Sequence, residues 1–244
     1  MKNKNIISFF LLTIPCLSVF ASESDAGQLS CLLEPSKEIN LATQVQGVVK
    51  RVKVERGGEV SKGQVVITLE TGLETAMLNL AKAKVEFSKR KVERNKELID
   101  SGILTAHEAD EILTEHTIFE LEMIRAEKAL QQKIIYSPVN AIVVERLVSR
   151  GEYAGVEPLL KLAVLNPLHA QVVMKADYYG LIEKGQEVEI MVEGKTDQSY
   201  TGSVKIVDKI IDAASNTFGV IVEIPNPEFN LPAGLKCRIH YLSS

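Results

Sequence analysis

The 244-residue chain has no Trp, and aromatic residues make up only 5% of it. It also lacks any basic excess: 28 Lys and Arg stand against 32 Asp and Glu, a formal net charge of −4. Nucleic-acid binders present a basic face, so this balance excludes that class of partner. No apolar run reaches the ~20 residues that a membrane-spanning helix needs. Between Thr71 and Gln132 there is no Pro, and Gly72 and Gly102 are the only glycines. Four His are scattered with no His-x-x-x-His pair, and Met is not clustered, which excludes the usual hard and soft metal sites. Gly58 and Gly63 have phosphate-loop spacing, but Gln64 stands where that loop requires Lys. No Ser/His/Asp or Cys/His grouping emerges from spacing. The expectation is therefore no catalytic, cofactor or metal residues.

What is present begins with a leader. Lys2 and Lys4 precede an apolar run from Ile6 to Phe20, and Ala21, two places after Val19, supplies a small-residue cleavage site. Residues 1–21 read as a signal peptide, the alternative being an uncleaved anchor. A lipid anchor at Cys16 is set aside because Pro15 occupies a position that needs a small residue. Cleavage removes two positive charges and leaves the mature chain more acidic. It also leaves two cysteines, Cys31 and Cys237, an even number that in an exported protein points to a disulfide.

Two stretches repeat each other. Residues 47–57 read GVVKRVKVERG and residues 141–151 read AIVVERLVSRG. Each belongs to a set of short β-branched strands joined by Gly-bearing turns, over 39–70 and over 134–163. Between them the period changes. Leu78, Val85, Val92 and Ile99 recur every seven residues. So do Ala109, His116, Met123 and Leu130, and likewise Ile112, Phe119 and Ala126. This is the a/d pattern of a coiled coil. Capping boxes are expected at Thr71–Glu74 and Thr105–Glu108, and Gly102 in DSGIL ends the first helix. A short turn makes the helices antiparallel. The first is basic over 82–96 and the second acidic over 108–127.

The two repeats are thus read as halves of one small β domain, with residues 71–133 inserted as a helical hairpin. Halves of this kind resemble those of lipoyl and biotinyl carrier domains. Residues 22–38 form a strand segment packing near a final β-rich unit, residues 164–244, which reads as a small barrel, with a sandwich as the alternative. The stretch DYYGLIEKG within that unit is read as one short helix. The fold class is mainly β with an inserted α-helical coiled-coil hairpin.

The order of these motifs resembles the periplasmic adaptors, or membrane fusion proteins, of the HlyD-like kind that serve RND efflux pumps. The marks are QGVVKRVKVERGGEVSKGQVVITLE, the hairpin, YSPVNAIVVERLVSRGEYAGVEPLLKL, and then LNPLHAQVVM, GQEVEIMV, YTGSVKIV and NPEFNLPAGLKC. The resemblance implies a non-enzymatic protein in the periplasm of a Gram-negative bacterium. Its implied partners are an inner-membrane transporter of RND type, an outer-membrane channel and further copies of itself in a ring. The alternatives are an adaptor of an ABC-type exporter or type I secretion system and, more distantly, a lipoyl or biotinyl carrier domain. Larger members return through a membrane-proximal domain after the barrel, whereas this sequence stops at Ser244. The resemblance also implies a channel contact at the hairpin tip, RNKELIDSGILT. There Arg94 is the donor, Leu98 the apolar contact and Thr105 the hydroxyl, at a place where the family usually has Ser.

Overall fold

A computed structural model describes residues 28–194 and 198–241; the expected leader lies outside the described residues. The chain runs β1 (Gln28–Leu41), β2 (Gly47–Val52), β3 (Glu59–Val60), β4 (Val65–Leu69), α1 (Gly72–Asp100) and α2 (Ala106–Gln132). It continues through β5 (Ile134–Tyr136), β6 (Ala141–Arg146), β7 (Tyr153–Ala154), β8 (Leu160–Lys175), β9 (Glu187–Val192), β10 (Ser199–Val207), β11 (Thr217–Ile224) and β12 (Lys236–Tyr241).

The repeated stretches are related by a pseudo-twofold that shows in individual hydrogen bonds. Gly57 N–H donates to Val143 O and Gly151 N–H to Val49 O, both at 2.8 Å. Val143 N–H donates to Gly58 O and Val49 N–H to Glu152 O, both at 2.9 Å. Each half thus closes its turn on the first strand of the other. Gly57 and Gly151 both take positive φ, 81° and 88°, which explains why the turn is written Arg-Gly twice. The two halves make facing sheets, β5-β4-β2-β7 and β3-β6-β8-β1. Val49, Val66, Ile67, Leu69, Val143, Leu160 and Leu162 fill the space between them.

The C-terminal unit is a closed barrel. Its strand order is β1-β12-β9-β10-β11-β8, and β8 pairs back onto β1. Alternate residues point inward, as in Leu168, Ala170, Val172 and Met174 of β8 and Phe218, Val220, Val222 and Ile224 of β11. A Cβ added at Gly202 would lie 2.7 Å from Val222 and 2.8 Å from Ile190, so the barrel interior requires glycine there.

Three local expectations need correction. The segment before the first half-motif does not merely pack near the barrel. Residues 28–33 are one of its staves, held between β12 and β8. Both β1 and β8 run unbroken from the barrel into the sandwich, so no linker separates the units at residue 164. The short helix read in DYYGLIEKG is only a 3-10 turn at Ala176–Tyr178. Gly180 and Gly185, at φ of 88° and 91°, keep the rest of that loop from helical continuation.

The capping box at Thr71 is the third correction. Thr71 makes no side-chain cap. The Glu74 carboxylate turns instead to Lys133 Nζ, 3.2 Å away, with the two side chains only 16% and 15% exposed. Lys133 also donates to Gln46 O at 2.9 Å. One cation thus ties the first turn of α1, the end of α2 and the sandwich together. Removing one partner of a buried pair strands the other charge. Lys133→Ala is expected to cost about 2 kcal/mol, below the range for full burial because some solvent reaches the pair. Chemical denaturation against wild type checks this.

The hairpin tip as candidate functional site

The helices are 29 and 27 residues long, which at 1.5 Å per residue makes an arm of roughly 40 Å. Its seam holds the expected heptad residues, and three more on α1: Ala81, Ser88 and Asn95. Ser88 is buried. Its Oγ donates to Val85 O at 3.0 Å and lies 2.9 Å from His116 Nδ1, so His116 fills a seam position and Ser88 satisfies it. Lys84–Glu122 and Lys91–Glu115, both at 2.8 Å, cross the seam in one antiparallel register. Such half-exposed pairs contribute a few tenths of a kcal/mol each and fix register more than stability.

At the far end α1 stops as expected. Gly102 has φ of 69°, and its N–H reaches Ile99 O. The N–H groups of Ile103 and Leu104 return to Leu98 O at 3.1 and 3.4 Å, and the chain enters α2 at Thr105. Arg94 and Leu98 are one turn apart on α1 and share a face. Arg94 is exposed and makes no ion pair among the described residues. Leu98 is 38% exposed. Beside it stands Ile103, 70% exposed, which sequence reasoning passed over. An apolar residue directly after a helix-ending Gly was the signal available. The tip therefore presents a free guanidinium next to two aliphatic side chains.

Thr105 is differently placed. Its Oγ1 accepts from Glu108 N–H at 3.3 Å and donates to Glu108 Oε2 at 2.7 Å, while Thr105 N–H donates to the same carboxylate at 2.9 Å. The hydroxyl is occupied by the capping box. These bonds hold the Glu108 carboxyl below its ordinary pKa, the Thr105 hydroxyl being the main cause. A depressed carboxylate stabilises the cap above its ordinary titration range and loses that contribution as pH falls through the lowered value. Thr105→Ala is expected to cost about 1 kcal/mol near neutrality. The difference from wild type should shrink at acid pH, as measured by thermal melts across the carboxylate range.

A free tip on a hairpin inserted between two half-sandwiches, followed by a closed barrel, defines an architecture shared with known proteins. Residues 37–159 match the family model of the CzcB-like barrel-sandwich hybrid domain, and residues 169–244 match that of the CusB-like β-barrel domain. The chain belongs to the family of membrane fusion adaptor proteins. It is 24% identical over 220 residues to nodulation protein NolF of Rhizobium meliloti, covering 83% of this chain and 59% of NolF. It is 22% identical over 211 residues to the antibiotic efflux pump periplasmic linker protein ArpA of Pseudomonas putida, covering 79% of this chain and 56% of ArpA. The chain thus spans little more than half the length of these relatives. Among solved structures it resembles a MacA-MexA chimera carrying the Pseudomonas aeruginosa MexA α-hairpin domain. The TM-score is 0.73 at 18% identity, over 87% of this chain and 78% of the other.

Proposed function

We propose that this protein is a non-enzymatic periplasmic adaptor that joins an inner-membrane transporter of RND type to an outer-membrane channel. The observation that carries the reading is the hairpin tip, where Arg94, Leu98 and Ile103 are exposed at the end of a rigid arm. A guanidinium offers several fixed donors to backbone carbonyls or carboxylates at the ends of a partner's helices, and the two aliphatic residues supply apolar contact beside it. Thr105 shapes the turn rather than offering its hydroxyl.

Several copies surround the transporter. The outer face of α1 carries Leu73, Met77, Leu80 and Phe87 in exposed positions, a stripe of apolar side chains suited to packing against the hairpin of a neighbouring copy. An ABC-type exporter would use the same tip, and the co-purifying transporter distinguishes the two. Deletion of the gene is expected to raise sensitivity to exported compounds, and pull-down of the tagged protein to recover a transporter and a channel. Recovery of neither would overturn the proposal. The mature protein is expected to begin near Ser22 and to be released with the periplasmic fraction. Intact mass checks this, and a full-length form resisting carbonate extraction would contradict it.

A further inference from the structure

The hairpin is long, yet little apolar surface fastens it to the sandwich. The core between the two half-sandwiches, from Val49 to Val164, includes no residue of α1 or α2. Leu73 and Met77, in the first turns of α1, are exposed instead of packing on a sheet. α1 packs on α2, and α2 meets the sandwich through β5, the strand that follows it. Beside that junction an open cleft of about 440 Å³ lies between residues 41–44, Gln131 and Tyr136.

The root is held by polar contacts. Glu70 N–H, just before α1, donates to Val48 O at 2.8 Å, and Leu69 N–H donates to Lys133 O, at the end of α2, at 2.9 Å. Each chain crossing is thus pinned to a strand by one backbone bond. Two such pivots define an axis, and only a brace from the arm to the sandwich stops rotation about it. The Lys133 ammonium makes that brace. Its Nζ lies 3.2 Å from Glu74 Oε1, in the first turn of α1, and donates at 2.9 Å to Gln46 O, in the loop between β1 and β2. Gln46 is held in turn, because the Tyr153 hydroxyl of β7 donates to Gln46 Oε1 at 2.8 Å. Gly47 leaves room for the amine, since a Cβ there would stand 3.3 Å from Nζ. The brace also takes Glu74 away from the capping box, and Thr71 is left without a side-chain cap.

The length of the arm makes its angle matter. A swing of ~10° at the root of a hairpin of roughly 40 Å moves the tip by about 7 Å. That far exceeds the few tenths of an ångström over which a hydrogen bond stays well formed. We infer that Lys133 is a positioning residue: it sets the angle between hairpin and sandwich, and through that angle the place where Arg94, Leu98 and Ile103 meet their partner. The brace itself needs no partner; its use in aiming the tip rests on the adaptor reading.

Nitroxide labels at Lys96→Cys, near the tip, and Arg56→Cys, in the first sandwich turn, report the angle. Both positions are exposed, and the native Cys31 and Cys237 are held in their disulfide. In the mature protein the distance distribution from double electron–electron resonance is expected to be narrow. Lys133→Met keeps an apolar stem and removes the ammonium, and should widen the distribution at least two-fold. Lys133→Arg returns a cation with several donors and should narrow it again. Leu168→Ala leaves a cavity in the barrel core; it should lower the melting temperature and leave the width unchanged, which separates aiming from general loss of stability. In cells, Lys133→Met should reduce efflux several-fold at normal protein levels although every tip residue is intact. A width unaltered by Lys133→Met, or widened equally by Leu168→Ala, would overturn the brace. Full efflux with a widened distribution would overturn the positioning role. The labelled protein is measured without transporter or channel, so a failure there leaves the adaptor reading standing, and a wild-type tip that captures no channel would sink that reading without altering the widths.

Discussion

Cells carrying Arg94→Asp are expected to lose efflux to the level of a deletion strain while holding normal amounts of a protein that melts at the wild-type temperature. The argument rests on separating folding from contact. Arg94 is exposed and makes no ion pair among the described residues, so its charge contributes little to stability. A partner surface that meets a guanidinium would meet a carboxylate instead, and like charges or unpaired donors at a small contact cost far more than the original bond contributes. Leu98→Asp should behave in the same way, since Leu98 is 38% exposed and its backbone carbonyl, not its side chain, closes the turn. Arg94→Lys should retain partial function, because charge survives while the planar fork is lost. Drug susceptibility and immunoblotting in the same cultures decide it. Full efflux in both Asp variants at normal protein levels would remove the tip from the contact.

The second large effect concerns the barrel seam. Cys31 and Cys237 sit directly opposite on β1 and β12 and form a disulfide, with Cα atoms 4.8 Å apart and a sequence separation of 206. It ties the first described strand to the last, and β1 is the stave that closes the barrel. In the chain-entropy view, closing so long a loop stabilises by up to about 5 kcal/mol. Cys31→Ser with Cys237→Ser is expected to lower the melting temperature by on the order of 10 °C. Hydrogen exchange should rise first along β1 and β12. Equal melting temperatures and equal masses with and without reductant would contradict the bond.

Much of this fold was legible because its signals are local and written twice. The repeated Arg-Gly turns, flanked by β-branched residues, marked the two halves, and the heptads marked the hairpin. Arg94 and Leu98 were assigned to the tip contact through a resemblance, and the structure shows both exposed at the far end of the hairpin. What escaped depends on distant partners. Glu74 looked like a capping residue until Lys133 arrived from the far end of α2. Residues 22–38 read as a strand segment packing near the barrel and not as one of its staves, because the pairing strands β8 and β12 lie more than a hundred residues away. β8 also runs through Asn166-Pro167 without interruption. The Asn226 side chain donates to Leu165 O, and Asn226 N–H donates to Asn166 Oδ1, which satisfies polar groups that a proline would otherwise leave open. Ser88 and Asn95 escaped because apolar periodicity does not register polar seam positions.

The most direct test of the adaptor reading places a photo-crosslinking residue at Ile103, the exposed apolar side chain of the tip, and at Val173, exposed on the barrel wall, in cells with all partners present. The account predicts that Ile103 captures an outer-membrane channel protein, that Val173 does not, and that Arg94→Asp abolishes the Ile103 product. Capture of an inner-membrane protein at Ile103, or no tip product in cells whose efflux is intact, would contradict it.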